Sequence, residues 1–213
     1  MNGILLELKA LLGPTAIRWA VCGGFALDLF LGRETRVHGD LDMAVPEEDR
    51  AMIERFMLEQ GWNVCEFRGQ GRLRPLRPGD RSESGRNLMC LREGCELVTF
   101  WPCDEPGMML HEWHSEGIRT LNYMEFLFHQ RQEGAYLFSE GLTRSAEKAF
   151  LSRDGVPYLA PELVLLYKAS QPERSANRAD FEAVFPLLEE EPRAWLLAAL
   201  EPGHPWSGGV SHA

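Results

Sequence analysis

The amino-acid sequence predicts an α+β fold: a mixed α/β part built on one sheet, followed by a helical C-terminal region. Two observations carry this. Through residue 157, short apolar runs of strand length alternate with segments of helical period, punctuated by glycine and proline. After "DGVPYLAP" the texture changes, and "PELVLLYKAS", "RADFEAVFPLLEE" and "PRAWLLAAL" all repeat apolar residues at helical spacing. The expected division is residues 1–157 and 158–213, the second packed on the first.

In order, "MNGILLELKALLG" reads as a short amphipathic helix, with an early Glu7 and no small-residue cleavage pattern. "IRWAVCGG" is a short apolar run ending in glycines, a buried strand that runs into a turn. "FALDLFLG" is apolar all round and stops at Gly32, which fits a short buried helix. "LDMAV" is a second strand. "PEEDRAMIERFMLEQG" opens with Pro46 and acidic residues, sets Met52, Ile53, Phe56 and Met57 on one face and stops at Gly61, as a helix does. "WNVCEF" reads as a strand, and "RGQGRLRPLRPGDRSESGR" as a solvated loop rich in turn residues. "NLMCLREGCELVTFW" holds two strand-like halves about Glu93-Gly94, which predicts a hairpin. "NYMEFLFH" and "AYLF" are further strands.

Bulk properties narrow the function. A formal net charge of -10 and a pI near 5.1 argue against binding nucleic acid through overall charge. The five cysteines (Cys22, Cys65, Cys90, Cys95 and Cys103) are odd in number and lack C-x-x-C spacing, which suits reduced thiols rather than a disulfide framework or a zinc site. No apolar run reaches the roughly 20 residues that cross a bilayer. The expectation is a soluble, cytoplasmic protein that engages no membrane, its oligomeric state left open.

The chemistry concentrates in "VCGGFALDLFLGRETRVHGDLDMAV", residues 21 to 45. A strand ending in Gly23-Gly24 and feeding a helix lets backbone approach an anion, and the helix N-terminus offers free N–H groups to phosphate. Asp40 and Asp42, two apart on an extended segment, project to the same side with Leu41 between them facing the core. Paired carboxylates repel unless a cation neutralises them, and hard oxygen pairs are what Mg²⁺ prefers, commonly shared with substrate phosphates. Each half alone has a plain structural reading, a tight turn or a solvated strand end. Together they make a site for a nucleoside triphosphate.

This stretch resembles the signature of the nucleotidyltransferase superfamily. More closely it is similar to the version in aminoglycoside 2''-adenylyltransferases and lincosamide nucleotidyltransferases. Gly23, Gly24, Asp28, Gly32, Arg33, Thr35, Arg36, His38, Asp40 and Asp42 fall on that pattern. "DGVPYLAPELVLLYKAS", "RADFEAVFPLL" and "GHPW" continue the resemblance more loosely. Residues 69 to 118 match least. Asn177 departs from it, standing where an acidic residue is expected, whereas Asp180 keeps to it.

The resemblance implies a nucleotidyltransferase-like palm with a mixed sheet and helices. It implies two Mg²⁺ ions, ATP as nucleotide donor, and transfer of AMP to a hydroxyl of a small acceptor, an aminoglycoside-like antibiotic among the options. Asp40 and Asp42 would be catalytic and metal-binding. A third acidic residue on a later strand is also implied, and Glu125 in "NYMEFLFH" is favoured over Glu96 in "CELVTFW" by the order of segments. Gly23 and Gly24 would seat phosphates, Lys168 would reach the triphosphate, and Arg33 and Arg36 are further phosphate candidates or partners of Asp28 or Asp40. For His38 a structural hydrogen bond is expected. The alternatives are a toxin–antitoxin type enzyme that modifies a protein or RNA, or a nucleotide binder that has lost turnover.

Two features are set aside. "HEWH" lacks the spacing that brings both histidines of H-E-x-x-H to one helical turn. The arginines of residues 68–86 could grip an anion but read better as a solvated loop.

Overall fold

Asn2 opens the first helix, α1 (Gly3–Leu12), by accepting the Ile4 N–H at 2.9 Å, and Ile4, Leu5, Leu8 and Leu12 form its buried stripe. The computed structural model describes residues 2–114, 117–139 and 141–208. Among them are seven α-helices and a mixed sheet of twelve strands.

The sheet is organised around two parallel neighbours. Strand β1 (Ala20–Val21) runs into α2 (Gly23–Leu31), which ends at Gly32 in the left-handed conformation, φ 71°. The chain returns as β2 (Asp42–Pro46), antiparallel to β1, and β2 pairs in parallel with the long β8 (Tyr123–Gln132). Between them in sequence come α3 (Arg50–Glu59), β3 (Asn63–Gly69), β4 (Arg72–Leu76), β5 (Leu88–Leu91), β6 (Val98–Pro102) and β7 (Met109–Trp113). After β8 follow β9 (Ala135–Ser139), β10 (Leu142–Arg144), the single turn α4 (Ala146–Ala149), and the hairpin β11 (Phe150–Arg153) and β12 (Val156–Leu159). The spatial order is β11-β12-β1-β2-β8-β5-β3-β4-β7-β6, with β9 and β10 extending from β8. Helices α5 (Pro161–Lys168), α6 (Ser175–Val184) and α7 (Glu190–Ala199) complete the chain, and α5 and α6 both pack on α2.

Burial explains the middle of this order. Met43, Val45 and Phe126 on β2 and β8 and Ile53 and Met57 on α3 are fully buried, each worth about 1.5–3 kcal/mol on leaving water. Arg50 stacks its guanidinium on Phe128, 3.6 Å from the ring centre, and so ties α3 to β8.

Several expectations are corrected. Pro46 closes β2 instead of opening a helix, and a 3₁₀ turn over Glu47–Asp49 precedes α3. The hairpin about Glu93-Gly94 does not form: β5 pairs with β3 and β8, and β6 pairs with β7. Within the arginine-rich stretch, Arg72–Leu76 is a strand, with Leu73 and Leu76 buried. Several of its arginines are held by the chain's own carboxylates: Arg74 and Arg68 meet the fully buried Glu66 at 2.7 and 3.4 Å, Arg68 meets Glu83 at 2.8 Å, and Arg72 meets Glu105 at 3.0 Å. His111 to Trp113 of "HEWH" fall on strand β7, where His111 bonds Gly71 O, and His114 just beyond it bonds Thr99, with no helical turn to align the histidines.

Candidate active site

The site forms where α2 leaves the sheet. Cys22 precedes the helix with no side-chain cap, so the first N–H groups of α2 receive no capping oxygen from it. The Cys22 N–H itself donates to Asp42 O at 2.8 Å, which fastens the helix start to β2. Gly23 has φ +62°, a conformation that L side chains rarely adopt, and a Cβ there would stand 2.5 Å from Asp42 Oδ2. At Gly24 a Cβ would run into the His38 ring and lie 3.1 Å from Arg36 Nη2. The two glycines therefore make room first for two side chains of this chain, Asp42 and His38, and not only for a ligand.

His38 is buried and held by Asp28, whose Oδ2 is 2.7 Å from its Nε2. Asp28 also accepts the Thr35 N–H at 3.0 Å and the Thr35 hydroxyl at 2.6 Å. Burial alone would raise the Asp28 carboxyl, but the bonds from His38 and Thr35 outweigh it and hold the group below its usual range. The other edge of the ring, Nδ1, is buried with no hydrogen-bond partner among the described residues, as is Arg36 Nε. Both belong to side chains that lie against Gly24, so the start of α2 keeps unused polar groups.

The carboxylates come next. Asp40 is exposed just ahead of β2, Leu41 behind it is fully buried, and Asp42 begins the strand. In the parallel register Asp42 lies directly opposite Glu125, and Leu41 O accepts the Glu125 N–H at 2.9 Å. The Tyr123 hydroxyl donates to Glu125. Burial, then the charges of Asp40 and Glu125, push the Asp42 carboxyl well above its ordinary range, against the pull of Lys168. Burial likewise raises Glu125, to about 7, with Tyr123 opposing and Asp40 adding to the rise. Burial, then the same carboxylates, keep the Cys22 thiol protonated.

Asp40 and Asp42 border a cavity of about 610 Å³ lined also by Gly23 and Gly24, by the cations Arg36, Lys168 and Arg174, and by an apolar and aromatic portion that includes Leu127, Tyr136 and Tyr167. Tyr136 and Tyr167 share a hydroxyl–hydroxyl bond of 2.6 Å across β9 and α5. Among the described residues, no three His, Cys, Asp or Glu side chains stand close enough together to enclose a metal ion. The donor chemistry nonetheless fits a divalent cation: hard oxygens on neighbouring strands whose mutual repulsion a cation would relieve.

Of the residues singled out from sequence, the fold brings Gly23, Gly24, Arg36, Asp40, Asp42 and Lys168 to one cavity and sets Glu125 beside Asp42. Glu96 is an exposed turn residue ahead of β6, at the far edge of the sheet. Arg33 lies apart from them. The left-handed Gly32 turns the chain so that Arg33 lines a different cavity, with Phe25, Asp28, Arg153 and Asp154. Sequence reasoning missed Arg174, Gln171 and the tyrosine pair, which carry no motif. It gave Asp180 no role, although that residue faces both Arg36 and Lys168.

Comparison with known proteins bears on this geometry. Residues 4–79 match the family model described as aminoglycoside-2''-adenylyltransferase. The fold is similar to the solution structure of the antibiotic-resistance factor ANT(2'')-Ia, with 15% identity and a TM-score of 0.53, over 92% of this chain and 88% of that one. It is similar also to the lincomycin-bound lincosamide antibiotic adenylyltransferase LnuA, with 12% identity and a TM-score of 0.52, over 94% of this chain and 98% of that one. None of the curated proteins matches the chain. The resemblance read from residues 23–42 thus extends, as a likeness of fold, across nearly the whole molecule: the chain shares the fold of these two antibiotic-resistance proteins.

Proposed function

We propose that this protein is a nucleotidyltransferase that moves AMP from ATP to a hydroxyl of a small acceptor, with Mg²⁺. The observation that carries the proposal is Asp42, paired in register with Glu125 and set against the Gly23 bend, lining one cavity with Asp40 and the cations Arg36, Lys168 and Arg174. Arg36, Lys168 and the N-terminus of α2 would hold the triphosphate. Asp40, Asp42 and Glu125 would hold the divalent ions, which when bound would neutralise the triphosphate and stabilise charge as the acceptor oxygen displaces pyrophosphate at the α-phosphorus. Glu125, raised into the neutral range, is suited to take the acceptor's proton if it does not bind metal. Positioning and preorganised charge supply most of the rate in such a displacement.

The division at residues 1–157 and 158–213 belongs to this reading, with the first part catalytic and α5 and α6 closing the cavity over it. So does a reducing, cytoplasmic setting, consistent with five free cysteines. Among the described residues no helix is long and apolar enough to cross a membrane. An antibiotic-like acceptor is supported by the match to the aminoglycoside-2''-adenylyltransferase family and by the likeness to an antibiotic-resistance factor and to a lincomycin-bound adenylyltransferase.

The test is pyrophosphate release from ATP and Mg²⁺ across a panel of aminoglycosides and lincosamides. Release that requires both an acceptor and the metal supports the reading. Release only when a protein or RNA is supplied replaces the acceptor class, and binding of nucleotide with no release under any condition removes the transferase.

A further inference from the structure

Two of the cations that line the cavity, Arg36 and Lys168, share one carboxylate oxygen that does not itself line it. Asp180 Oδ2 lies 2.9 Å from Lys168 Nζ and 3.2 Å from Arg36 Nη2, and Asp180 is 5% exposed. The three side chains come from separate elements: Arg36 from the loop between α2 and β2, Lys168 from the end of α5, and Asp180 from the middle of α6. Asn177, one turn earlier on α6, holds the backbone beneath Lys168, its amide donating to Lys168 O at 3.3 Å and to Gln171 O at 3.0 Å. It also accepts from Lys168 Nζ at 3.5 Å. Helix α6 therefore grips Lys168 twice, by main chain and by side chain.

We infer that Asp180 is a positioning residue, which aims Arg36 and Lys168 together at the triphosphate. The inference rests on the nucleotidyltransferase reading of the cavity. Two cations no more than about 6 Å apart repel each other, and both belong to long side chains with much rotamer freedom to lose. A buried carboxylate between them cancels the repulsion and fixes both charges before the ligand arrives. Phosphate then meets a preformed pair, with no ordering left to be done on binding. An asparagine at 177 suits this role better than an acid: a carboxylate there would neutralise Lys168 further and could not donate to the Lys168 and Gln171 carbonyls.

The experiment is a double-variant cycle read by calorimetric binding of MgATP. Asp180→Asn should lower MgATP affinity by about tenfold, the size of a lost charge-assisted contact, and Lys168→Gln should do the same. The double variant should lose clearly less than the product of the two single losses, because Lys168→Gln already removes one of the two cations through which Asp180 acts. Losses that simply multiply would mean a general structural role and overturn the inference, as would unchanged or tighter binding in Asp180→Asn. If Asp180→Asn does not fold, Asp180→Glu takes its place. It keeps the charge but displaces it, so a loss of about threefold is expected in the wild-type background and a smaller one on Lys168→Gln; equal losses in both overturn the inference. Wild-type protein that binds no MgATP would remove the nucleotide reading itself, and this inference with it.

Discussion

Gly23 and Asp42 interlock: the helix start leaves a gap where a Cβ would be, and the Asp42 carboxylate stands 2.5 Å from that point. The bend and the acidic strand are therefore one structural unit. Gly23→Ala should cost at least about 1 kcal/mol in urea unfolding, from the left-handed backbone alone, and should displace Asp42. Its MgATP affinity should fall by more than its stability. A variant with full stability and wild-type nucleotide binding would separate the bend from the carboxylate.

The acidic pair predicts an unusual pH dependence. In the folded chain Glu125 keeps its proton up to about 7, whereas unfolded it loses it near the ordinary glutamate value of about 4.3. Between those values the folded state binds more protons than the unfolded one, so stability falls as pH rises through that window. Metal-free protein should thus melt at a lower temperature at about pH 8 than at about pH 5, and Glu125→Gln should flatten the difference. Added Mg²⁺ should raise the melting temperature at the higher pH and do little at the lower. Scanning fluorimetry across pH, with and without metal, checks all three.

Asp28 accepts bonds from the Thr35 main chain, the Thr35 hydroxyl and His38 while buried. Asp28→Asn keeps the shape but loses the charge and one accepting oxygen, and should destabilise by about 1.5–3 kcal/mol. Because His38 fills the space at Gly24, nucleotide affinity should drop as well. Chemical denaturation and calorimetry on the same sample measure both.

The two arginines of "GRETR" should behave oppositely. Arg36 lines the carboxylate cavity and Arg33 a separate one. Arg33→Gln should leave MgATP affinity within about twofold, whereas Arg36→Gln should weaken it about tenfold. Equal losses would mean that the loop moves to bring both to the phosphates.

What could be read from sequence follows from how local each signal is. The Gly-Gly bend, α2 with its glycine stop, β2 and the pair Asp40 and Asp42 lie within residues 23–46 and obey short-range rules of turn, cap and alternation. The helices α5 to α7 were equally legible from their period. What failed depended on partners far away in sequence. Leu73 and Leu76 sit among arginines and prolines, so β4 looked like a loop until Glu66 on the neighbouring strand took up Arg68 and Arg74. The hairpin at Glu93-Gly94 had good turn chemistry, but β5 finds a better place between β3 and β8, in the middle of the core. Arg33 and Arg36 are indistinguishable by composition; the direction taken after Gly32 separates them. Asp180 could not be tied to the site at all, since its partners lie 12 and 144 residues away.

The measurement that tests the whole account most directly is calorimetric titration of ATP into wild-type and Asp42→Asn protein, each with Mg²⁺ and with EDTA. The account predicts binding by the wild type that depends on the metal and weakens sharply in Asp42→Asn. Binding of equal strength in the variant, indifferent to EDTA, would contradict it.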